Sequence, residues 1–186
     1  YFNPWLRQEE KTFSRFLRWR LSKSGEYSEE EENNLPDYLP DLIERINNLD
    51  RNTDFIAWIG HATFLIRVGQ EYWLTDPIFS KRALLPKRVT PPAITAEDLA
   101  SLAGDLHVVL SHSHYDHLDK NSLQELPQGT RYYVPAGLKE YVSGFAAGPV
   151  YELDWWQSLS TEAGTILTSL PAQHWSRRFF QAHNTT

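Results

Sequence analysis

From Asp54 onward the pattern of apolar and polar positions turns to that of strands, in short apolar runs set off by turn residues. Phe55 to Ile59, Thr63 to Val68 and Glu71 to Thr75 are rich in β-branched and aromatic residues, which predicts three strands. Gly69-Gln70 supplies a tight hairpin turn between the last two, and Gly60-His61 interrupts the first pair. Further on, Asp105 to Leu110, Tyr132 to Val134, Val150 to Leu153 and Thr165 to Leu170 read as strands. Helical patterns fall between them: a helix opening at Thr95-Ala96-Glu97-Asp98 with a capping-box-like start, then Leu118 to Leu126 and Gly137 to Phe145. Ahead of the strands, Leu42, Ile43, Ile46 and Leu49 share one face of a short helix that should dock on the domain. Residues 78 to 94 hold Pro86, Pro91 and Pro92 and predict an irregular surface loop. Strands and helices both occur along the chain, so a mixed fold, α/β (α+β), is expected.

The first 52 residues differ from the rest, so the chain divides into an N-terminal extension, 1–52, and a catalytic-type domain, 53–186. Phe13, Phe16, Leu17 and Leu21 recur at helical spacing among Lys11, Arg15, Arg18, Arg20 and Lys23. Such a helix packs its apolar face on the domain or, as the second reading, lies on an anionic membrane through residues 11–23. Glu29 to Glu32 then form a solvated acidic connector. In 186 residues, 41% hydrophobic with 13% aromatic, there is enough apolar surface for a packed core. A formal net charge of -6 argues against nucleic acid as partner. No cysteine is present, so neither a disulfide framework nor a thiolate metal site is open to it. Methionine is absent as well, a starting one included, and the residues are therefore read as part of a longer chain. No stretch has the length of a membrane span and no secretory leader pattern stands at the start, so a soluble or peripheral protein of undecided compartment is expected.

The chemistry gathers in Ser111-His112-Ser113-His114-Tyr115-Asp116-His117-Leu118-Asp119, directly after an apolar strand. In extended backbone His112 and His114, two residues apart, project to the same side. Asp116 and His117 are neighbours whose side chains diverge, which suits ligands for a second ion beside the first. Imidazole with carboxylate is a ligand set for zinc, with iron or manganese as substitutes. A plain polar loop, with Asp116 or Asp119 capping the next helix, is the competing reading, and four ligand-type residues at a strand end outweigh it. His174 follows the last strand as His112 follows an earlier one and is taken as the third ligand of the first ion. His61 is expected beside the ligands rather than among them, bonding the backbone at its turn.

Those residues carry a resemblance. His112-x-His114-x-Asp116-His117 resembles the signature of the metallo-β-lactamase-fold hydrolases. Trp58-Ile59-Gly60-His61-Ala62-Thr63-Phe64, Leu74-Thr75-Asp76-Pro77-Ile78-Phe79, Glu152-Leu153-Asp154-Trp155-Trp156 and Pro171-Ala172-Gln173-His174-Trp175 look like the branch of N-acylphosphatidylethanolamine-hydrolysing phospholipase D and its bacterial relatives. The likeness runs over roughly residues 54 to 182. It implies an αββα sandwich, of which these residues cover mainly the N-terminal half, with apolar sheet surface left for the other half. It implies two metal ions per complete site, with a bridging Asp and a further His beyond residue 186, and Asp76 orienting a ligand rather than binding metal. Asp116 would hold the second ion and help orient the nucleophile. The implied reaction is hydrolysis of a phosphodiester in a small-molecule or lipid substrate; a lactonase of the ascorbate-6-phosphate lactonase type is the alternative, and a non-catalytic metal-binding piece a second. Lys87, Arg88 and Arg177 are cations available to a phosphate, though solvation is the ordinary role of each. Trp155 and Trp156 pack in the core or, less ordinarily, wall an acyl pocket.

Overall fold

The computed structural model describes residues 28, 30, 34, 37–83, 87–172 and 174. The basic segment 11–23 and Arg177 lie outside the described residues. The elements are helix α1 (Leu42–Asn48), strands β1 (Phe55–Gly60), β2 (Thr63–Val68) and β3 (Glu71–Thr75), and a 3-10 turn (Asp98–Ser101). There follow β4 (Asp105–Val109), α2 (Lys120–Gln124), β5 (Arg131–Pro135), α3 (Lys139–Ser143), β6 (Val150–Leu153), β7 (Ser158–Ser160) and β8 (Ile166–Thr168).

Six strands form one sheet in the order β1-β2-β3-β4-β5-β6, antiparallel from β1 to β3 and parallel from β3 to β6. The parallel strands are short apolar runs, as strands flanked by crossovers must be. On one face Leu65, Leu74, Val108 and Tyr132 from the central strands meet Leu42 and Ile46 of α1, Leu118, Leu123 and Leu126 around α2, and Leu138 and Val142 of α3. Removing any of these large side chains would cost about 2–5 kcal/mol. Arg67 points into the same side. Burial of its cation is tolerated because Nε donates to Thr53 O at 2.8 Å, Nη2 donates to the carbonyls of Asp50 and Thr53, and the guanidinium lies 5.2 Å from the centre of the Phe55 ring.

The other face is covered differently. Trp73, Tyr133 and Leu153 pack with Ile66, Val109 and Leu167 of the β7–β8 hairpin. Toward β1 and β2 that face is open, with Ile56 71% and Trp58 48% exposed alongside Phe64 and Val68. This is the apolar surface that one half of a two-sheet sandwich presents. Among the described residues there is one large sheet with helices on one side, an α/β arrangement.

The helix expected from Thr95 shrinks to the 3-10 turn. Its start forms: Asp98 Oδ2 accepts from Thr95 N at 2.7 Å and Oγ1 at 2.9 Å, and Thr95 Oγ1 accepts from Asp98 N at 3.3 Å. It ends early because the chain must enter β4 beside β3, where a Cβ on Gly104 would lie 2.4 Å from Gln70 O. Strand β7 has no counterpart in the sequence reading, since Ser158-Leu159-Ser160 lies on the exposed side and lacks the apolar pattern of a strand. No helix among the described residues is long and apolar enough to cross a membrane.

Candidate metal centre

The carboxyl ends of the parallel strands fall together, because Thr75 pairs with Val109 and Pro135 with Leu153. Asp76 leaves β3 there, and Leu110 to His112 leave β4 beside it. The hairpin register brings a third segment to this end. With β2 antiparallel to β3, the start of β2 lies opposite the end of β3, and so does the Gly60–His61 turn that precedes it.

Two groups of ligand-type side chains result: His112, His114 and His174, and His61, Asp116 and His117. In the first, His112 Nε2 lies 2.9 Å from His114 Nδ1 and 3.1 Å from His174 Nε2, and the last two are 3.2 Å apart. Three imidazole nitrogens at mutual contact are a donor set for a metal. A tetrahedral zinc with N ligands about 2.0–2.1 Å away sets them roughly 3.3 Å from one another. The observed triangle fits that centre. In the second group Asp116 Oδ2 is 3.2 Å from His61 Nε2 and 3.8 Å from His117 Nε2, and the His61 and His117 rings meet edge to face at 5.2 Å.

Asp76 bonds His117 and the residue next to His112. Its Oδ1 accepts from Ser111 N at 2.7 Å, while Oδ2 accepts from Ser111 Oγ at 2.6 Å and from His117 Nδ1 at 2.8 Å. The carboxylate reaches them from a left-handed backbone, φ 35°, held by Thr63 Oγ1 donating to Asp76 O at 2.8 Å and Asp76 N donating to Val109 O at 3.0 Å. Such strain in a non-glycine residue persists only where its surroundings fix it. His61 is also left-handed, φ 52°, following Gly60 at φ 143°. That turn throws its ring toward Asp116 rather than back onto the backbone, so the structure places His61 among the candidate ligands instead of in a turn-bonding role. The signal was present in the sequence: a turn at Gly69-Gln70 puts the opposite end of β2 at the carboxyl end of β3.

Electrostatics separate the histidines. Burial, with His117, His114 and His174 close by, pushes His112 down to about 4, leaving it neutral at pH 7. His117 is partly buried, which works against its charge, yet the hydrogen bond to Asp76 and the charges of Asp76 and Asp116 raise its pKa. Asp116 is lowered: burial opposes its charge, and the hydrogen bond to its backbone with the neighbouring His117, His61 and His114 outweighs that.

Beside the first group lies a cleft of about 440 Å³ whose wall includes Tyr133, Leu153, Trp155, Leu167 and Leu170 and which reaches His112 and His174. Trp155 therefore faces the cleft, whereas Trp156 is 69% exposed and outside it, its N bonded to Ser169 O at 2.7 Å. Lys87 is exposed. Arg88 is turned inward: Nη1 donates to Ile78 O at 3.0 Å, Nη2 would lie 3.2 Å from a Cβ on Gly60, and burial lowers its pKa. Its guanidinium therefore lies beside Gly60 and is committed to the Ile78 carbonyl. Arg177 lies outside the described residues.

A mixed sheet with histidines and carboxylates converging at its carboxyl edge defines a metal-site α/β protein. The chain belongs to the beta-lactamase superfamily domain family, whose model matches residues 72–186. It is 36% identical over 147 residues to N-acyl-phosphatidylethanolamine-hydrolyzing phospholipase D 1 of Caenorhabditis elegans, covering 70% of this chain and 40% of that protein. To the mitochondrial N-acyl-phosphatidylethanolamine-hydrolyzing phospholipase D of Saccharomyces cerevisiae it is 30% identical over 152 residues, 76% of this chain and 31% of the other. A third similarity, 32% over 63 residues, is to a metal-dependent hydrolase of Ruegeria pomeroyi, with 34% of this chain and 24% of that one aligned. The chain thus spans two fifths or less of the length of these relatives.

Proposed function

We propose that this chain carries the ligand-bearing part of a metal-dependent hydrolase acting on a phosphodiester, with an N-acylated phosphatidylethanolamine-like lipid as substrate. The observation that carries the reading is the triangle of His112, His114 and His174 nitrogens beside the His61, Asp116, His117 group. His112, His114 and His174 would hold one divalent ion; Asp116, His117 and His61 would contribute to a second, with zinc the metal best matched to the donors. When bound, the metal supplies the Lewis acidity that phosphodiester hydrolysis needs near neutral pH. The chain's own part is positional. Asp76 fixes His117, and Asp116, with its side chain half exposed, would help orient the attacking water. Water oxygen attacks phosphorus, the bond from phosphorus to the ethanolamine oxygen breaks, and the leaving oxygen takes a proton, giving an alcohol and a phosphomonoester. The substrate class is suggested by two relatives named as N-acyl-phosphatidylethanolamine-hydrolyzing phospholipases D, and the cleft walled by Trp155, Leu167 and Leu170 suits an acyl chain.

The test is a parallel assay of the zinc-loaded protein on a lipid phosphodiester and on a sugar lactone, with and without chelator. Release of N-acylethanolamine and phosphatidic acid, abolished by chelation and restored by zinc, is the expected result. Turnover of the lactone alone would overturn the substrate assignment, and turnover that survives complete removal of metal would overturn the chemistry.

A further inference from the structure

We propose that Ser111 is a positioning residue whose hydroxyl ties His112 to Asp76, so that one carboxylate sets the ring orientation in both ligand groups. The inference rests on the reading that these groups bind metal, and goes beyond it in assigning a role to a residue that is not itself a ligand.

The argument is a count of protons. A serine hydroxyl has one to give. Ser111 Oγ is 2.6 Å from Asp76 Oδ2, which can only accept, so its proton lies on that bond. The same oxygen is 2.8 Å from His112 Nδ1 and must accept there, which places the His112 proton on Nδ1. His112 Nε2 is then left with its lone pair aimed at His114 and His174. On the other branch Asp76 Oδ2 accepts from His117 Nδ1 at 2.8 Å, and His117 Nε2 is turned toward Asp116 by the same logic. Asp76 thus reaches one group directly and the other through a single hydroxyl. Without that hydroxyl the His112 proton has no reason to stay on Nδ1, and the tautomer with its proton on Nε2 blocks the lone pair that the site uses.

Ser111 suits a clean test because its side chain is exposed at the wall of the cleft, while its backbone N–H holds Asp76 Oδ1 independently of the side chain. Cobalt(II) and zinc would be titrated into wild type, Ser111→Ala, Ser111→Thr and Ser111→Val in competition with a chelator, with the cobalt absorption spectrum recorded and unfolding of the metal-stripped proteins followed in urea. Ser111→Ala is expected to weaken the first equivalent about 10- to 100-fold and alter the cobalt spectrum, whereas Ser111→Thr stays within about threefold of wild type. The Thr and Val variants have the same shape, so their comparison isolates the hydroxyl if alanine disturbs the loop. Equal affinity in the Thr and Val variants, or an Ala variant that binds like wild type, would overturn the role of Ser111 and leave the metal reading standing. Wild type that binds neither metal would overturn the metal reading itself.

Discussion

Thr63→Val probes the support beneath the site. Thr63 is 0% exposed, and its Oγ1 both donates to Asp76 O at 2.8 Å and accepts from Ile78 N at 3.2 Å. Valine has the same shape and can do neither. Two backbone groups on buried residues are then orphaned, at about 1–3 kcal/mol each, against about 0.8 kcal/mol returned by the extra methyl. The expected net loss is about 3 kcal/mol, and the left-handed turn at Asp76 loses one of the bonds that hold it. Urea unfolding of the metal-stripped protein measures the first effect and chelator competition the second, with zinc affinity expected to fall as Asp76 loosens. Thr63→Ser keeps both hydrogen bonds and should lose only about 1 kcal/mol, the value of a buried methyl. A Thr63→Val protein within about 0.5 kcal/mol of wild type would refute the accounting, because a net hydrogen bond at this site would then be worth less than its usual 0.5–1.5 kcal/mol.

Other outcomes follow from single contacts. With His112 held at about 4 against an ordinary 6.5, the unfolded chain binds more protons between those values, so the metal-stripped protein loses stability as pH falls through that window. That difference bounds the loss at about 3 kcal/mol; His117, raised, acts in the opposite sense, its contribution full below 6.5 and lost above its folded pKa. Comparing wild type with His112→Ala in urea at pH 7 and pH 4 isolates the His112 contribution, and an unchanged pH slope in the variant would contradict it. His61→Ala should cost the second equivalent of metal and spare the first, a difference read by native mass spectrometry; loss of both equivalents or of neither would show that His61 is no ligand. Gly148→Ala would place a Cβ 2.2 Å from Thr130 O, which is backbone and cannot swing aside, so overpacking should destabilise by about 3 kcal/mol in the same unfolding assay.

Much of the sheet was legible residue by residue. Strands β2, β3 and β6 occupy the spans that their β-branched and aromatic residues predict, and α1 docks through Leu42 and Ile46 as its apolar face requires. Short helices were overestimated. The runs Leu118 to Leu126 and Gly137 to Phe145 hold helices of five residues each, because nonhelical turns absorb the remaining apolar positions. Burial alone therefore does not fix a helix end.

What the sequence determined by itself is local. A run of ligand-type residues after an apolar strand, with His112 and His114 at spacing two, is complete within nine consecutive positions and needs no distant partner to be seen. What only the tertiary structure decided is every relation across the chain. His61 stands 55 residues from Asp116 and faces it only because the β1–β2–β3 register carries its turn to the carboxyl edge and a left-handed backbone aims the ring. Asp76, 35 residues from Ser111, meets it through the parallel pairing of β3 with β4. Arg88 reads in sequence as one more surface cation and in space is turned inward onto the Ile78 carbonyl beside Gly60. The physical reason is the same in each case: periodicity specifies which way a side chain leaves its own strand, while the partner it meets is set by the pairing of strands far apart in the chain.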